Sequence, residues 1–218
     1  EPEQMLSVLK RVVADPESAE VSEPEITYST IGVLSAELRE KLLAQHYKSL
    51  DTALGGLRIS HRYLDADSVE FALTKAAEGS VPDLDWAKLT LQNNRKLIDP
   101  VWGGAYQYST HRDWDHPHFE KIMSTQAKNL RLYSSAFTLW NLPEHKSAAG
   151  DIYRYLKTIL LSPDGAFYTS QDADYIKGTH SDDYFKLSDP ERRKLGFPAI
   201  DKHNYSRENG WAIGAIVS

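Results

Sequence analysis

Residues 99–121, DPVWGGAYQYSTHRDWDHPHFEK, carry three of the eight His, two of the five Trp and two of the twelve Tyr of the chain. Asp99, Asp113, Asp115, Arg112, Glu120 and Lys121 lie among them. No apolar run passes through the stretch, and Pro100, Gly103, Gly104 and Pro117 interrupt any regular period, so it is a loop between helices. A loop this long, dense in titratable and aromatic groups, is a candidate site rather than a simple connector. On both sides of it the apolar residues repeat at helical spacing. Positions 34, 38, 43, 47, 50 and 54 mark one helix, and an Asp67/Glu70 capping box opens the next. Pro82 starts a third, while Met123, Ala127, Leu130, Phe137 and Trp140 mark a long one. Ile152, Leu156 and Ile159 mark another; Ser188, Pro190 and Glu191 open a short helix, and 206–217 a last. Alternating strand patterns are nearly absent, so the fold class is all-α.

Three glycine turns recur after helices: GGL at 55–57, GGAY at 103–106 and GAFY at 165–168. Units of this length are helical hairpins stacked in an array. Residues 2–13 form a short helix, and the acidic, Pro-containing stretch 15–32 reads as a linker. The domain expectation is therefore 1–14 as a remnant of a preceding domain, 15–32 as linker and 33–218 as the hairpin array.

Composition narrows the function classes. Hydrophobic residues are 41% and charged residues 26% of the 218, with a net charge of -6. These values suit a globular domain and argue against nucleic-acid binding, because no basic stripe offsets the acidic balance. No apolar run approaches the roughly 18 residues of a membrane helix. The absence of Cys excludes disulfides and thiolate chemistry, and leaves the compartment open with the cytoplasm favoured. The chain opens on Glu1 and ends on the apolar GWAIGAIVS, which suggests a piece of something longer. Its expected partners are then the rest of that chain or a second copy covering an open edge.

GGAYQYSTHRDWDHPHFEKI, followed one hairpin later by SPDGAFYTSQDAD, resembles the thioredoxin-domain-containing family that includes bacterial YyaL and the spermatogenesis-associated protein of animals. Tyr108, Ser109, Thr110, Trp114 and Pro117–Lys121 match its first motif; Ser162, Pro163, Gly165, Phe167, Tyr168 and Gln171–Asp174 match its second. The resemblance implies a partial (α/α)6 toroid of the six-hairpin glycosidase type, preceded in the family by a thioredoxin-like domain. Two departures stand out. His111 occupies a position where the family often has Asp, and SHRYLD at 60–65 lacks the family's Pro-Lys-Phe-Pro after the first Gly-Gly turn.

The candidate catalytic residues are His118, Glu120, Asp172 and Asp174. A histidine and a carboxylate flanking a substrate can serve as base and orienter, and paired carboxylates as acid and base in glycoside chemistry. Two apart in sequence, His118 and Glu120 are expected to diverge rather than meet. The plainer alternatives are a helix-terminal Glu120 and a turn held by the two aspartates. Trp102, Tyr106, Tyr108, Trp114 and Tyr168 offer flat faces to a sugar or glycan ligand, or else plug the helix ends. Arg112 and Arg207 can grip an anion, or pair with nearby acids such as Glu208. The spacing H-x4-H-x-H at 111–118 is not a standard metal set, and neither metal nor cofactor is expected. The function expected is a carbohydrate-active domain (epimerase, isomerase or glycosidase); the alternative is a non-catalytic platform presenting a client or glycan to the thioredoxin-like domain. In either case the loops 99–121 and 162–175 should meet at one end of the array.

Overall fold

The computed structural model describes residues 2–16, 28 and 32–218. Most of the linker expected at 15–32 lies outside the described residues. The chain divides into two units, Glu1–Leu42 and Leu43–Ser218. The first contains α1 (Pro2–Ala14), none of whose residues is buried, and the start of α2 (Ala36–Ser49). No helix among the described residues is long and apolar enough to cross a membrane.

The second unit is built from hairpins. α3 (Ala66–Ala77) turns back as α4 (Val81–Asn94), and α5 (Met123–Trp140) turns back as α6 (Pro143–Tyr155). α5 packs beside α3 on one side and beside α9 (Ser206–Val217) on the other, so α3, α5 and α9 form one row. α4 and α6 are the return arms, an alternation of the (α/α) toroid type. The row is cemented by residues buried at helical spacing: Val69, Ala72 and Leu73 on α3, Leu130 and Tyr133 on α5, Ala212 and Ala215 on α9. Small residues on α9 allow a close approach to α5. Two sequence details are corrected. The cap of α3 is Asp65, whose carboxylate accepts from the Ser68 N–H, and not the Asp67/Glu70 pair. Among the described residues five two-residue strands form where no strand was expected, because loop segments crossing the helix ends pair with one another to satisfy their backbone groups. By contrast Ser188, Pro190 and Glu191 do open the expected short helix, α8 (Asp189–Leu195), just after the one-turn α7 (Asp182–Phe185), and the structure shows that Ser188 and Glu191 form a capping box there.

The three glycine turns are structurally equivalent. Each is closed by a single antiparallel bridge: Leu50 with Leu57, Ile98 with Ala105, Leu161 with Phe167. Each is followed by the same backbone bond, from Arg58 N–H to the Ser49 carbonyl, Tyr106 to Leu97 and Tyr168 to Leu160. Gly103 and Gly104 have φ of 76° and 77°, a region costly for any residue with a Cβ. A Cβ on Gly103 would run into the Asp151 carbonyl oxygen, and one on Gly104 would sit 2.6 Å from the Tyr155 ring. The turn is thus pressed onto the end of α6, which closes the loop over the helices.

What enters the turn is an acid. Asp99 accepts from the Val101 N–H through Oδ1, while its Oδ2 receives Lys121 Nζ at 2.7 Å and the Arg192 guanidinium at 2.7 Å. All three side chains are 0% exposed. Burial pushes the Asp99 carboxyl up, but the charges of Lys121 and Arg192 outweigh it and the net shift is downward. Burial also lowers Lys121, to about 8, against the pull of Asp99. The rings of Tyr155 and Tyr106 lie 4.5 and 5.2 Å from the ammonium.

Two stability outcomes are expected in urea denaturation. Asp99→Asn should cost about 3–5 kcal/mol, because it strands two buried cations. Gly165→Ala, where the new methyl meets open space, should cost only about 1 kcal/mol of backbone strain. Gly104→Ala should cost at least about twice that by adding the clash with Tyr155. Equal losses at the two glycines would show that backbone conformation alone matters.

Candidate functional site

From the Gly103–Gly104 turn the chain runs back across the helix ends as β1 (Tyr108–Ser109) and β2 (Pro117–His118). They pair antiparallel, Tyr108 opposite His118. The next strand, β3 (Lys121–Ile122), leads directly into α5 and pairs with β4 (Ser170–Gln171), which pairs with β5 (Ile200–Asp201) ahead of α9. The loops 99–121 and 162–175 therefore meet at one end of the array, through Lys121 opposite Gln171. Arg62 joins them there. Its N–H donates to the Ser109 carbonyl and its own carbonyl accepts from the Ser109 N–H, while its guanidinium pairs with Asp51 at 2.5 Å.

Because cross-strand neighbours share a face, Tyr108 and His118 stack, centroids 4.8 Å apart at 14°. His61 meets the Tyr108 ring edge-on at 4.9 Å. His118 Nε2 lies 3.8 Å from Glu120 Oε2, each side chain 35% exposed. The expected divergence of these two is wrong: residues 119–120 link β2 to β3, which belong to different sheets, so neither a continuous strand nor a helical turn relates them. Glu120 does not cap α5 either; the N-cap is Ile122, with no side-chain bond.

His118 lines a cleft of about 460 Å³ with His111, His116, His180, Asp182 and Lys186. His111 and Arg112 both have positive φ, 58° and 62°, and form a tight reversal that carries His111 over His116, ring centroids 4.7 Å apart. His116 Nδ1 is held 2.8 Å from Asp113. The hydrogen bond that His116 donates to the Asp113 carboxylate, and then the charge of Asp113, raise the His116 pKa above the ordinary value. No three His, Asp or Glu side chains converge on a metal position among the described residues.

The other candidates lie elsewhere. Trp102, Tyr106 and Trp114 are 4%, 4% and 2% exposed and form a second core with Leu97, Phe119 and Phe185. Of the three, Tyr106 alone borders a cavity, a small one beside Asn94. The Trp102 indole donates to Asp189 and stacks on Phe197; the Trp114 indole donates to the Leu54 carbonyl and covers Gly56. Tyr168 is half-buried against the main core. Arg112 is exposed and borders a separate cleft with Asp51, Arg58 and Arg62. Asp172 accepts from the Asp174 N–H and Asp174 from the Gly178 N–H, the turn-stabilising alternative. No hydrogen bond or ion pair joins either aspartate to His118 or Glu120 among the described residues. Arg207 pairs with Glu208. Sequence reasoning missed His180, Asp182 and Lys186, because only the folding of 176–187 beside the hairpin brings them there; the one local signal was THSDDYFK, with no motif in it.

No family model matches the chain. Sequence comparison finds spermatogenesis-associated protein 20 of Homo sapiens, 37% identical over 86 residues, 39% of this chain and 11% of that protein. The mouse protein is 35% identical over the same length. Over those 86 residues the chain is homologous to spermatogenesis-associated protein 20. An uncharacterized protein of Caenorhabditis elegans is 28% identical over 158 residues, 67% of this chain. The chain spans 21% of the length of the worm protein and 11% of the human one. Solved structures with a similar arrangement include a family 76 glycoside hydrolase from a bovine Bacteroides thetaiotaomicron strain (TM-score 0.49, 15% identity, 68% of this chain and 28% of that one). A sugar epimerase from a ruminal bacterium has TM-score 0.49 at 20% identity, over 62% of this chain and 39% of its own. The cellobiose 2-epimerase of Bacillus thermoamylovorans has TM-score 0.49 at 16% identity, over 62% and 40%.

His116 provides a direct check of the cleft's electrostatics. Its NMR titration midpoint should lie above 6.5, the ordinary value, and return toward it in Asp113→Asn. The folded value is raised, so protonated His116 adds stability below pH 6.5 that fades as pH climbs through the folded value.

Proposed function

We propose that the hairpin end of the array is a carbohydrate-active site in which His118 and Glu120 handle a proton at a sugar carbon or glycosidic oxygen. The supporting observation is their 3.8 Å approach at the edge of a cleft, with Tyr108 lying flat against the imidazole. A histidine titrates near neutrality, so it can both take and return a proton, and a neighbouring carboxylate orients it and stabilises its charged form. The apo separation is longer than a hydrogen bond, as is common before a substrate draws catalytic groups together. Asp172 and Asp174 have no part in this proposal, being committed to their turn.

A second reading has its own support. Trp102, Tyr106 and Trp114 are spent on packing, which suits a non-catalytic platform holding a glycan or client for a thioredoxin-like domain of the longer protein. The two part company in a single experiment. Incubated with a panel of aldoses and disaccharides in D2O, an active site exchanges the sugar C2 hydrogen or cleaves the glycosidic bond. His118→Gln and Glu120→Gln should abolish that activity while the melting temperature stays within a few degrees. Saturable sugar binding without exchange or cleavage would establish the platform instead.

A further inference from the structure

We infer that the cavity between the first turns of α3 and α5 binds the edge of a monosaccharide or polyol through its hydroxyl groups. It lies against the β1–β2 hairpin, where Gln107 precedes Tyr108 and so faces away from the Tyr108–His118 stack. Its volume is about 70 Å³, and its polar lining includes Tyr63, Asn94, Gln107, Ser124, Thr125 and Lys128. At ~30 Å³ per water this holds about two waters, the space of a hydroxymethyl group or two neighbouring hydroxyls.

The lining is unusual in how little of it is used by the protein. The side chains of Tyr63, Gln107, Ser124, Thr125 and Lys128 make no hydrogen bond or ion pair to any described residue. Asn94 is 1% exposed, and both its amide hydrogens are committed, to Asn129 Oδ1 at 2.6 Å and the Tyr133 hydroxyl at 3.1 Å. Asn129 is fixed in turn by its bond to the Thr125 carbonyl, and Tyr133 by its bond to the Leu91 carbonyl. This network sets the orientation of the Asn94 amide and leaves its Oδ1 as an acceptor with no donor from the described residues. Tyr63 and Lys128 are exposed and Gln107, Ser124 and Thr125 half-buried, so their polar atoms are open to whatever enters the cavity; a concave site where a few polar groups converge suits a small ligand.

The chemistry of the set selects among ligands. Amides and hydroxyls both donate and accept, as a sugar hydroxyl does. The two charged side chains at the rim, Asp65 and Lys128, oppose each other. An anion would be repelled by Asp65 and a cation by Lys128. The first-turn amides of α5 add donors, since no side chain caps that helix. Tyr63, 39% exposed, is placed to cover the apolar face of a ring whose edge enters the cavity. The inference does not rest on the proton-handling role proposed for His118.

The test is an NMR titration of the full chain with D-mannose, sorbitol or inorganic phosphate, following the side-chain amide signals of Asn94, Gln107 and Asn129. Mannose or sorbitol should shift them saturably. Ser124→Ala and Gln107→Leu should each weaken the binding about two- to tenfold, the loss of one neutral hydrogen bond, with the unfolding midpoint unchanged. His118→Gln should leave it intact. Shifts with phosphate alone would make this an anion site, and no saturable shift with any probe would leave it a hydration pocket; either result overturns the inference.

Discussion

A carboxylate buried between two cations organises this end of the molecule. Asp99 receives Lys121 and Arg192 in a space closed to water, and the three come from distant parts of the chain. Such a cluster contributes little net stability compared with apolar packing, but it tolerates very little rearrangement, since any displacement leaves a charge unpaired. Asp99 sits in the Gly103–Gly104 turn, Lys121 in the strand that leads into α5, and Arg192 on α8. Holding those three together fixes the path of the hairpin between them, and with it the positions of Tyr108, His118 and Glu120.

The same logic appears in weaker form at the first glycine turn. Asp51 occupies the position equivalent to Asp99, and Arg62 supplies the cation; burial raises the Asp51 carboxyl, yet backbone N–H groups and Arg62 bring it down overall. The guanidinium also binds the Gly55 and Leu57 carbonyls. At the third turn Ser162 stands in this position and no cation is needed. One backbone device, a bridge-closed reversal with glycine in left-handed conformation, thus serves three times with different side chains behind it. The turns ending the return arms are structural in each instance, and they leave the binding surfaces to the segments that follow them.

Much of this was legible in order of residues. The helical period predicted α5 over its whole length, Ser188 and Glu191 announced α8, and the spacing of glycines revealed the hairpin repeat. The meeting of loops 99–121 and 162–175 followed from their common place in that repeat. The roles of individual aromatic residues were not legible. Trp102 and Tyr108 are six residues apart in one loop, yet one is core and the other surface. Which of them faces water depends on α8 and residue 197 arriving from far along the chain to cover Trp102. Asp172 and Asp174 looked like paired catalytic acids, and the local backbone absorbed them because short acidic side chains readily accept from N–H groups two to four residues on.

Periodicity, turn glycines and caps act between residues close in sequence, and the sequence by itself therefore determined the helices, their hairpin pairing and the end at which the long loops gather. Burial, the four-histidine cleft and the open polar cavity beside Asn94 arise between residues tens of positions apart, and the approach of His118 to Glu120, though they are near neighbours in sequence, follows from pairing on either side with two different strands. Only the tertiary structure decided those, because a side chain's chemistry depends on which distant groups exclude water from it and which leave it unpaired.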